Sequence, residues 1–439
     1  MKIVHCLNHF LPNHIAGTEV YTYTLIKELS KLGVESIVII PNYGNSFDDC
    51  YYYEEIKVIK YAEPSIVDRS MIMGRKIPLG VDFFLEVLKR ESPDIVHFQE
   101  VAGNNGFTIH HIVAAELIKM KIVLTCHLPG YTCKTGTLMY EEKELCDGKI
   151  DVLKCSRCAI HFNGIHGSKL KLIEKANSII YSLGYDITKY ENKISTAFGY
   201  PFIIKKLKDD LFKLINSTTK IIVLTKFYFD MLLSNGVSEE QIEYLPQSVP
   251  FYLKLNFKLN NFTKFRLIFI GRISELKGLH ILLSAMRNLD ENKIELDIYG
   301  KNDDDEYYFK CRELSKNANN ISWMGQIMQS EVIETMSNYN ALCLPSTFSE
   351  MSPLVIQEAF NARIPVVASN VYGNREQIRH GINGWLFQMN DINDLTNLLQ
   401  NLINNPDLVS QAIKGIPEVT KFDTVAKRMQ EIYINVIQE

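Results

Sequence analysis

Short apolar runs alternate with longer segments of helical periodicity along the first half of the chain. Residues 2–7 have the pattern of a buried strand, and a loop with Ala16-Gly17 leads into an apolar-periodic stretch that ends near Gly33. Later runs predict strands at residues 34–40, 93–98, 121–125 and 220–224, the first of which is expected to stop at Pro41. This alternation is typical of a parallel sheet covered by helices.

The second half of the chain repeats the alternation. Apolar runs predict strands at residues 267–270, 294–299, 341–344 and 366–368, and helices at residues 278–288, 307–315 and 354–361. The Asn-rich, weakly periodic stretch 250–264 has the composition of a linker. We therefore predict two α/β domains, residues 1–250 and 265–419, and a terminal helix at residues 420–439 that returns to the first domain.

Length and composition agree with two domains. The chain has 439 residues, which is longer than the roughly 250–300 residues that one hydrophobic core usually supports. Its 46% hydrophobic and 22% charged residues are typical of a globular protein. A net charge of −4 gives no sign of a nucleic-acid partner. No apolar run reaches the roughly 18 residues of a membrane-spanning helix and the first residues lack the apolar core of a secretory signal, so a cytoplasmic location is expected.

A candidate anion site lies near the start of the second domain. The strand predicted at residues 267–270 is followed by Gly271-Arg272, and Lys277-Gly278 stand where the next helix is expected to begin. Glycine lets backbone approach a phosphate, a helix N-terminus offers unpaired N–H groups, and the two cations neutralise a diphosphate. The alternative is a pair of solvated surface cations.

Two carboxylates, Glu350 and Glu358, lie in a segment that runs from a loop into a helix expected to begin near Pro353. One carboxylate can accept paired hydrogen bonds from ribose hydroxyls and the other from sugar hydroxyls. The backbone N–H groups between them, at Ser352 and Leu354, can meet a phosphate. The alternative is a capped surface helix.

Further motifs accompany these two in a characteristic order: Ile298-Tyr299-Gly300, Trp323-x-Gly325, Pro345-Ser346, Ile364-Pro365-Val366-Val367-Ala368-Ser369, and Gly381-x-Asn383-Gly384. The combination resembles the retaining glycosyltransferase family four, also known as glycosyl transferases group 1. The resemblance implies a GT-B fold, in which two Rossmann-like domains face a central cleft. It also implies transfer of a sugar from a nucleoside diphosphate sugar to a glycan or lipid-linked acceptor in cell-envelope polysaccharide assembly, without a cofactor.

The resemblance also implies roles for residues of the second, donor-binding domain. Arg272 and Lys277 would bind the donor diphosphate, Glu358 the ribose, and the neighbourhood of Gln326 the base. Glu350 would lie near the reacting carbon of the transferred sugar and is a candidate catalytic residue.

The first, acceptor-binding domain carries the resemblance more thinly. The family's paired glycines in the first loop are Ala16-Gly17 here, so the close approach of backbone to the donor depends on Gly17. His127 follows a predicted strand, at the edge where ligands gather in parallel sheets. By resemblance it would contact the donor sugar as the second catalytic residue; without the resemblance, a structural histidine is expected.

A cysteine-rich insertion is predicted near residues 128–168. Cys133, Cys146, Cys155 and Cys158 have a terminal Cys-x2-Cys pair, which is typical of a structural zinc site. Free buried thiols and an iron–sulfur cluster are the alternatives, and His161 and His166 are substitute ligands.

Three further alternatives follow from the sequence. The amphipathic stretch 202–215 is either an ordinary surface helix or a peripheral contact with the inner face of the cell membrane. The Asp303-Asp304-Asp305 run is interpreted as a helix start and not as a metal site. The rival functions are a sugar-nucleotide epimerase and a non-catalytic sugar-nucleotide-binding partner; a nicotinamide oxidoreductase is disfavoured because neither domain begins with Gly-x-Gly-x-x-Gly.

Overall fold

The computed structural model describes residues 1–65, 68–101, 106–190, 192–250, 252–253, 263–302 and 304–439. Most of the predicted linker and Asp303 lie outside these residues. The chain divides into two compact units. Unit 1 comprises Met1–Pro246 and Asp423–Glu439, and unit 2 comprises Gln247–Phe422.

Unit 1 contains an eight-stranded sheet and a separate two-stranded one. The strands are β1 (Lys2–Cys6), β2 (Glu35–Tyr43), β3 (Asp49–Tyr53), β4 (Ile56–Glu63), β5 (Ile95–Phe98), β6 (Lys121–Cys126), β7 (Met139–Tyr140), β8 (Glu144–Leu145), β9 (Lys220–Val223) and β10 (Ile242–Tyr244). The large sheet has the order β10-β9-β6-β5-β1-β2-β4-β3, in which the β3–β4 pair is antiparallel and the other pairs are parallel. Strands β7 and β8 form the small antiparallel sheet.

Helices connect the parallel strands of unit 1. They are α1 (Gly17–Lys31), α2 (Arg69–Ile72), α3 (Gly80–Glu91), α4 (Ile109–Leu117), α5 (Val152–Phe162), α6 (Gly167–Ser182), α7 (Lys193–Ser217) and α8 (Lys226–Ser234). Helices α5 to α7 and the small sheet all belong to the connection between β6 and β9. The predicted stretch 202–215 lies in α7, where Ile203, Ile204, Leu211 and Leu214 are buried and Phe212 is exposed.

The prediction that Pro41 ends the second strand is wrong. Strand β2 continues to Tyr43, and Pro41 pairs with Tyr61 of β4 in the parallel register. On the other side, the pairing with β1 stops at Ile39. Because Pro41 lies beyond the end of β1, its missing N–H leaves no ladder hydrogen bond unmade.

Unit 2 is built on one six-stranded parallel sheet. Its strands are β11 (Phe265–Ile270), β12 (Ile294–Tyr299), β13 (Ile321–Gly325), β14 (Ala341–Leu344), β15 (Val366–Ser369) and β16 (Gly384–Phe387), in the order β13-β12-β11-β14-β15-β16. Its helices are α9 (Leu279–Met286), α10 (Asp305–Leu314), α11 (Val332–Met336), α12 (Leu354–Asn361), α13 (Tyr372–Gln377), α14 (Ile392–Asn404) and α15 (Pro406–Gly415). Buried apolar side chains form cores on the sheet. The predicted α/β fold with parallel sheets is confirmed.

The last helix, α16 (Phe422–Gln438), packs in unit 1. Met429, Ile432, Tyr433 and Val436 are buried. The Tyr433 hydroxyl lies 2.6 Å from Nδ1 of His97 in β5, so the end of the chain is tied to the middle of the large sheet.

A glycine fixes the spacing of two loops in unit 2, those after β11 and β14. Gly278 has a φ of +68°, and a Cβ added to it would lie 1.9 Å from the carbonyl oxygen of Pro345. Only glycine accommodates both the left-handed backbone and the contact. The loops are further joined where the N–H of Thr347 donates to the carbonyl of Leu276 over 2.9 Å.

Gly278→Ala is therefore expected to destabilise unit 2 by roughly 3 kcal/mol or more, because the backbone strain is added to a clash with fixed backbone. Gly381→Ala is the matched control, since Gly381 has a φ of +76° with no atom within 4 Å of an added Cβ. The control should lose only about 1–2 kcal/mol. Calorimetric unfolding of both variants tests this, and equal losses would contradict the role of the loop contact.

Candidate active site

The two motif loops of unit 2 lie where the strand order of its sheet reverses, a position known as the topological switch point. Strands β11 and β14 are neighbours, with β12 and β13 on one side and β15 and β16 on the other. Ligands of open parallel sheets bind outside the carboxyl ends of the strands at such a switch point. The loop after β11 carries Arg272 and Lys277, and the loop after β14 carries Glu350.

Lys277 and Glu350 form an ion pair across these loops. Nζ of Lys277 donates to Oε1 of Glu350 over 2.6 Å, and the Ser346 hydroxyl donates to the same oxygen over 2.7 Å. The carboxylate is nearly buried, with 9% of its side chain exposed, against 17% for the lysine. The structure therefore brings together two of the predicted site residues and adds Ser346 to them.

The backbone of Glu350 is also fixed. Its carbonyl accepts from the N–H of Gly373 over 3.0 Å, and a Cβ on Gly373 would lie 2.2 Å from that oxygen. Ser369 donates to the carbonyl of Ser346 over 2.7 Å. The position of the candidate catalytic carboxylate is thus set by packing as well as by its ion pair.

Glu358 lies in a different environment. It belongs to α12, which begins at Leu354 after Pro353, as predicted. The carboxyl is buried, and this burial raises its pKa to about 7; a hydrogen bond donated by the Gln329 amide acts in the opposite direction. Glu350 and Glu358 therefore differ in their partners, Lys277 for the first and an uncharged amide for the second.

The other predicted donor-site residues of unit 2 are more accessible. Arg272 is exposed, directly after the close approach of Gly271 to Gly300. Gln326 is exposed and follows Gly325, whose carbonyl accepts from the N–H of Gly300 over 2.8 Å. Ser352 and Leu354 are partly buried, and Leu354 is the first residue of α12. Its N–H is one of those that lack a partner within the helix.

The Asp run after β12 is a helix start in the part that the structure describes. Asp304 caps α10 and accepts from the N–H of Tyr307 over 3.1 Å, and Asp305 lies in the first turn.

In unit 1, His127 follows β6 and belongs to a buried polar network. Its Nε2 lies 3.2 Å from Oε1 of Gln99, and the amide nitrogen of Gln99 lies 3.1 Å from Nδ1 of His5. Nε2–H of His127 is therefore the donor to Gln99, since an amide oxygen only accepts. Burial lowers the pKa of His127 to about 3, so the imidazole is neutral at physiological pH.

Gly17 is exposed and is the first residue of α1. Nearby, Glu19 is buried in the first turn, and its Oε1 lies 3.0 Å from Nδ1 of His14. The sequence analysis gave no role to Glu19 or His14.

The structure does not support the predicted zinc site. In the described part of the chain, no group of three or more His, Cys, Asp or Glu side chains is placed to hold a metal ion. The four thiols instead contact protein oxygens, those of Thr135 for Cys133, Asp147 for Cys146, Lys149 for Cys155 and Met139 for Cys158. Burial raises the pKa of Cys155 to about 12 and of Cys158 to about 11, so in the metal-free protein these groups are protonated thiols.

Three polar residues of these networks were missed. Gln99 follows β5 at the carboxyl edge of the sheet, so the positional argument used for His127 applied to it as well. Ser346 was part of a quoted motif but was given no role. Gln329 carries no motif, and only the fold brings it to Glu358.

No helix in the described ranges is both long and apolar enough to cross a membrane.

The raised pKa of Glu358 predicts a pH-dependent stability. The folded protein holds this proton more tightly than an unfolded chain, whose glutamate titrates at 4.5, so the unfolding free energy falls as pH rises from 4.5 to about 7. Glu358→Gln should therefore stabilise the protein at pH 8, by about 2–3 kcal/mol, and have little effect near pH 4. Denaturant unfolding at both pH values measures the difference.

Glu350→Gln is the matched control, eight residues earlier in the chain. It removes the charge partner of Lys277 and should destabilise the protein at pH 8. If Glu358→Gln also destabilised the protein at pH 8, the prediction would be wrong. The ionised Glu358 carboxylate would then be stabilised by a contact that the structure does not show.

Comparisons with known proteins find relatives for both halves of the chain. Residues 254–419 match the family model of glycosyl transferases group 1, and residues 15–145 match that of glycosyltransferase family 4. The chain is 27% identical to the phosphatidyl-myo-inositol mannosyltransferase of Mycobacterium leprae over 210 residues, which are 46% of this chain and 53% of that protein. It is 24% identical to the amylovoran biosynthesis glycosyltransferase AmsK of Erwinia amylovora over 210 residues, 46% of this chain and 51% of that one. The chain thus spans about half the length of these relatives.

Solved structures resemble the whole chain. HepE of Anabaena in complex with UDP-glucose superimposes with a TM-score of 0.64 at 13% identity, covering 99% of this chain and 100% of that one. WaaG, a glycosyltransferase involved in lipopolysaccharide biosynthesis, gives a TM-score of 0.62 at 13% identity, covering 98% and 99% of the two chains. The fold class predicted from the sequence is confirmed. The chain belongs to the glycosyltransferase family 4 and group 1 enzymes and has the GT-B fold.

Proposed function

We propose that the protein transfers a sugar from a nucleoside diphosphate sugar to a glycan or lipid-linked glycan, with retention of anomeric configuration, in cell-envelope polysaccharide assembly. The observation that carries the proposal is the Lys277–Glu350 ion pair at the switch point of the unit 2 sheet. It supplies a cation for a diphosphate and a fixed carboxylate for a sugar in one place.

The donor is proposed to lie along the two loops of unit 2. Arg272 and Lys277 bind the diphosphate, together with the N–H groups at Ser352 and Leu354. Glu358 accepts from the ribose hydroxyls, which supply the donors that favour its ionised form. Gln326 is assigned to the base. HepE of Anabaena binds UDP-glucose in its crystal structure, which supports a nucleotide sugar as the ligand class.

In the proposed reaction, the bond from the anomeric carbon to the diphosphate oxygen breaks and a bond from the same carbon to an acceptor hydroxyl forms on the same face. The nucleoside diphosphate leaves with the bonding electron pair, and its departing oxygen takes up the proton that the acceptor hydroxyl loses on the same face. Arg272 and Lys277 stabilise the charge that develops on the leaving group. Glu350 positions the sugar, and its hydrogen-bonded Oε1 keeps the carboxylate in one orientation.

His127 and Gly17 are the residues of unit 1 assigned to the donor. A neutral imidazole can exchange hydrogen bonds with a sugar hydroxyl without adding a second charge, which agrees with the low pKa of His127. Gln99 fixes the ring by accepting from its Nε2–H. The chemistry assigned to these residues requires no metal or organic cofactor.

A thermal-shift experiment tests the donor site. One of the uridine, guanosine, adenosine and cytidine diphosphates should raise the melting temperature by roughly 5–10 °C at about 100 times its Kd, because ligand binding to the folded state stabilises by about 2.7 kcal/mol. Arg272→Ala should abolish most of the shift. Arg287→Ala, an exposed arginine of the same unit outside the motif loops, should keep it.

The same protein with the matching nucleotide sugar distinguishes the rival functions. Slow release of the nucleoside diphosphate, lost in Glu350→Gln, supports a transferase, and NMR of the glycosylated product shows whether the configuration is retained. Binding without release would favour the non-catalytic partner, and a changed configuration at C2 of the donor would favour the epimerase. The absence of any shift for all four nucleotides would overturn the donor site.

We further propose that unit 1 contacts an anionic membrane surface through α6. Leu172, Ile179 and Leu183 lie on one face of this helix and are exposed by 69%, 61% and 75%. Lys169 and Lys175 flank the face and are exposed as well. Apolar side chains between lysines are the composition of helices that lie in the headgroup region of anionic bilayers. The stretch 202–215 is less suited, because half of its eight apolar side chains are buried and only Phe212 is exposed.

Vesicle sedimentation tests this surface. The protein should bind vesicles that contain phosphatidylglycerol more strongly than pure phosphatidylcholine vesicles, and more weakly as salt increases. The double change Leu172→Ser and Ile179→Ser should reduce binding several-fold. Phe309→Ser is the control, since Phe309 in unit 2 is 64% exposed and lies outside the proposed surface. Equal binding of both variants would exclude α6 as the contact.

A further inference from the structure

Unit 1 contains a cavity of about 150 Å³ at the carboxyl edge of its large sheet. Its walls come from the ends of β2 and β4, from the segments after β5 and β6, and from α7. Helix α7 belongs to the long connection between β6 and β9, so this connection, and not the sheet alone, closes the cavity.

Part of the wall is apolar. Leu207, Leu211 and Leu214 of α7 line the cavity together with Ile109 and Tyr131. A cavity of this size with aliphatic walls accommodates a six-membered ring. The walls can therefore receive the C–H face of a ring-shaped ligand.

Two polar groups of the wall lack partners. The Tyr43 hydroxyl and Nε2 of His110 are buried, and neither has a hydrogen-bond partner among the described residues. Buried polar groups are almost always hydrogen-bonded in folded proteins. Such groups in a cavity wall are satisfied by water or by a ligand with hydrogen-bonding groups, so both are available to a polar ligand that displaces water.

The charges of the wall select the kind of ligand. Glu63 and Asp210 are acids and Lys206 is the only lysine or arginine among the lining residues; Lys206 pairs with Asp210. Burial lowers the pKa of His110, and the charges of Lys206 and Lys213 lower it further, so this imidazole is neutral at physiological pH. The described lining itself carries one cation and two carboxylates, which does not favour a phosphate, although Lys134 and Lys213 lie near enough to act on the Lys206–Asp210 pair and on His110. Hydroxyl groups suit the set, because they donate to carboxylates and accept from the lysine and the tyrosine.

We propose that this cavity binds an uncharged sugar ring of the acceptor, with its C–H face on the α7 leucines and its hydroxyls on Tyr43, His110, Glu63 and the Lys206–Asp210 pair. The inference rests on the proposed transferase function and names the part of the acceptor that unit 1 recognises. Acceptor selectivity is then a property of α7. A lipid phosphate, where the acceptor carries one, lies outside the cavity.

Saturation-transfer NMR on the full-length protein tests the proposal. The probes are the methyl glycosides of glucose, galactose, mannose and N-acetylglucosamine, with glucose 6-phosphate and butyl phosphate as anionic probes. At least one neutral glycoside should bind in the millimolar range, and a saturating nucleoside diphosphate should not displace it. The anionic probes should bind at least tenfold more weakly.

Helix α7 provides a matched pair of variants. Asp210→Asn changes the cavity pair, and Asp209→Asn changes the exposed Lys205–Asp209 pair one residue earlier, whose charged atoms are 2.9 Å apart. Asp210→Asn and Tyr43→Phe should each weaken glycoside binding at least fivefold, whereas Asp209→Asn should not. All three should keep the thermal shift with nucleotide, which separates a failure of this site from a failure of the donor site.

The proposal is overturned if an anionic probe binds best and gains affinity in Asp210→Asn, since the cavity would then be a phosphate site. It is also overturned if glycoside binding is equal in Asp210→Asn, Tyr43→Phe and Asp209→Asn, or if nucleotide displaces the glycoside, because the sugar would then occupy another site. The third excluding outcome is that no neutral glycoside binds. For this outcome each glycoside is tested at up to 50 times the concentration at which the strongest anionic probe saturates the protein.

Discussion

The organisation of the site in unit 2 depends on the contact of two backbone segments at the switch point of its sheet. Gly278 has no side chain, so the carbonyl of Pro345 can lie where a Cβ would otherwise be. Gly373 makes the equivalent contact with the carbonyl of Glu350. Lys277 precedes Gly278 in the chain, and the Glu350 backbone contacts Gly373. The backbone contacts therefore set the positions from which the two side chains form their ion pair. A preorganised arrangement of this kind is what stabilisation of a developing charge requires.

In unit 1 the strand order reverses between β1 and β5, and the side chains at this switch point differ from those in unit 2. Uncharged groups gather there, because burial lowers the pKa of His5 and His127 to about 3 and that of His97 well below its ordinary value. Gln99 joins these rings through hydrogen bonds. The two sheets thus share a reversal of strand order and differ in electrostatics, with charged loops in unit 2 and a neutral network in unit 1. This difference fits a division between a charged nucleotide and a neutral sugar.

Much of this arrangement could be predicted from the sequence, because its signals are local. The strand at residues 294–299 and the helix at residues 354–361 match β12 and α12 residue for residue, since apolar periodicity and Pro353 define their ends. The unpredicted features depend on distant contacts. Gln329 reaches Glu358 only in the fold, Pro41 continues a strand because β1 ends beside it, and the four thiols from Cys133 to Cys158 contact protein oxygens.

The two glutamates show why spacing alone could not assign chemistry. Glu350 and Glu358 are the same residue type within one segment, yet the first is paired with Lys277 and the second is buried against an amide. A fixed cation keeps Glu350 compensated whether or not ligand is present. Glu358, whose pKa burial raises to about 7, is compensated only by hydrogen-bond donors, and ribose hydroxyls would be such donors. Lys277 compensates the charge of Glu350 without a ligand. The role proposed for Glu358 at the ribose would in turn link nucleotide affinity to the ionisation of this carboxyl.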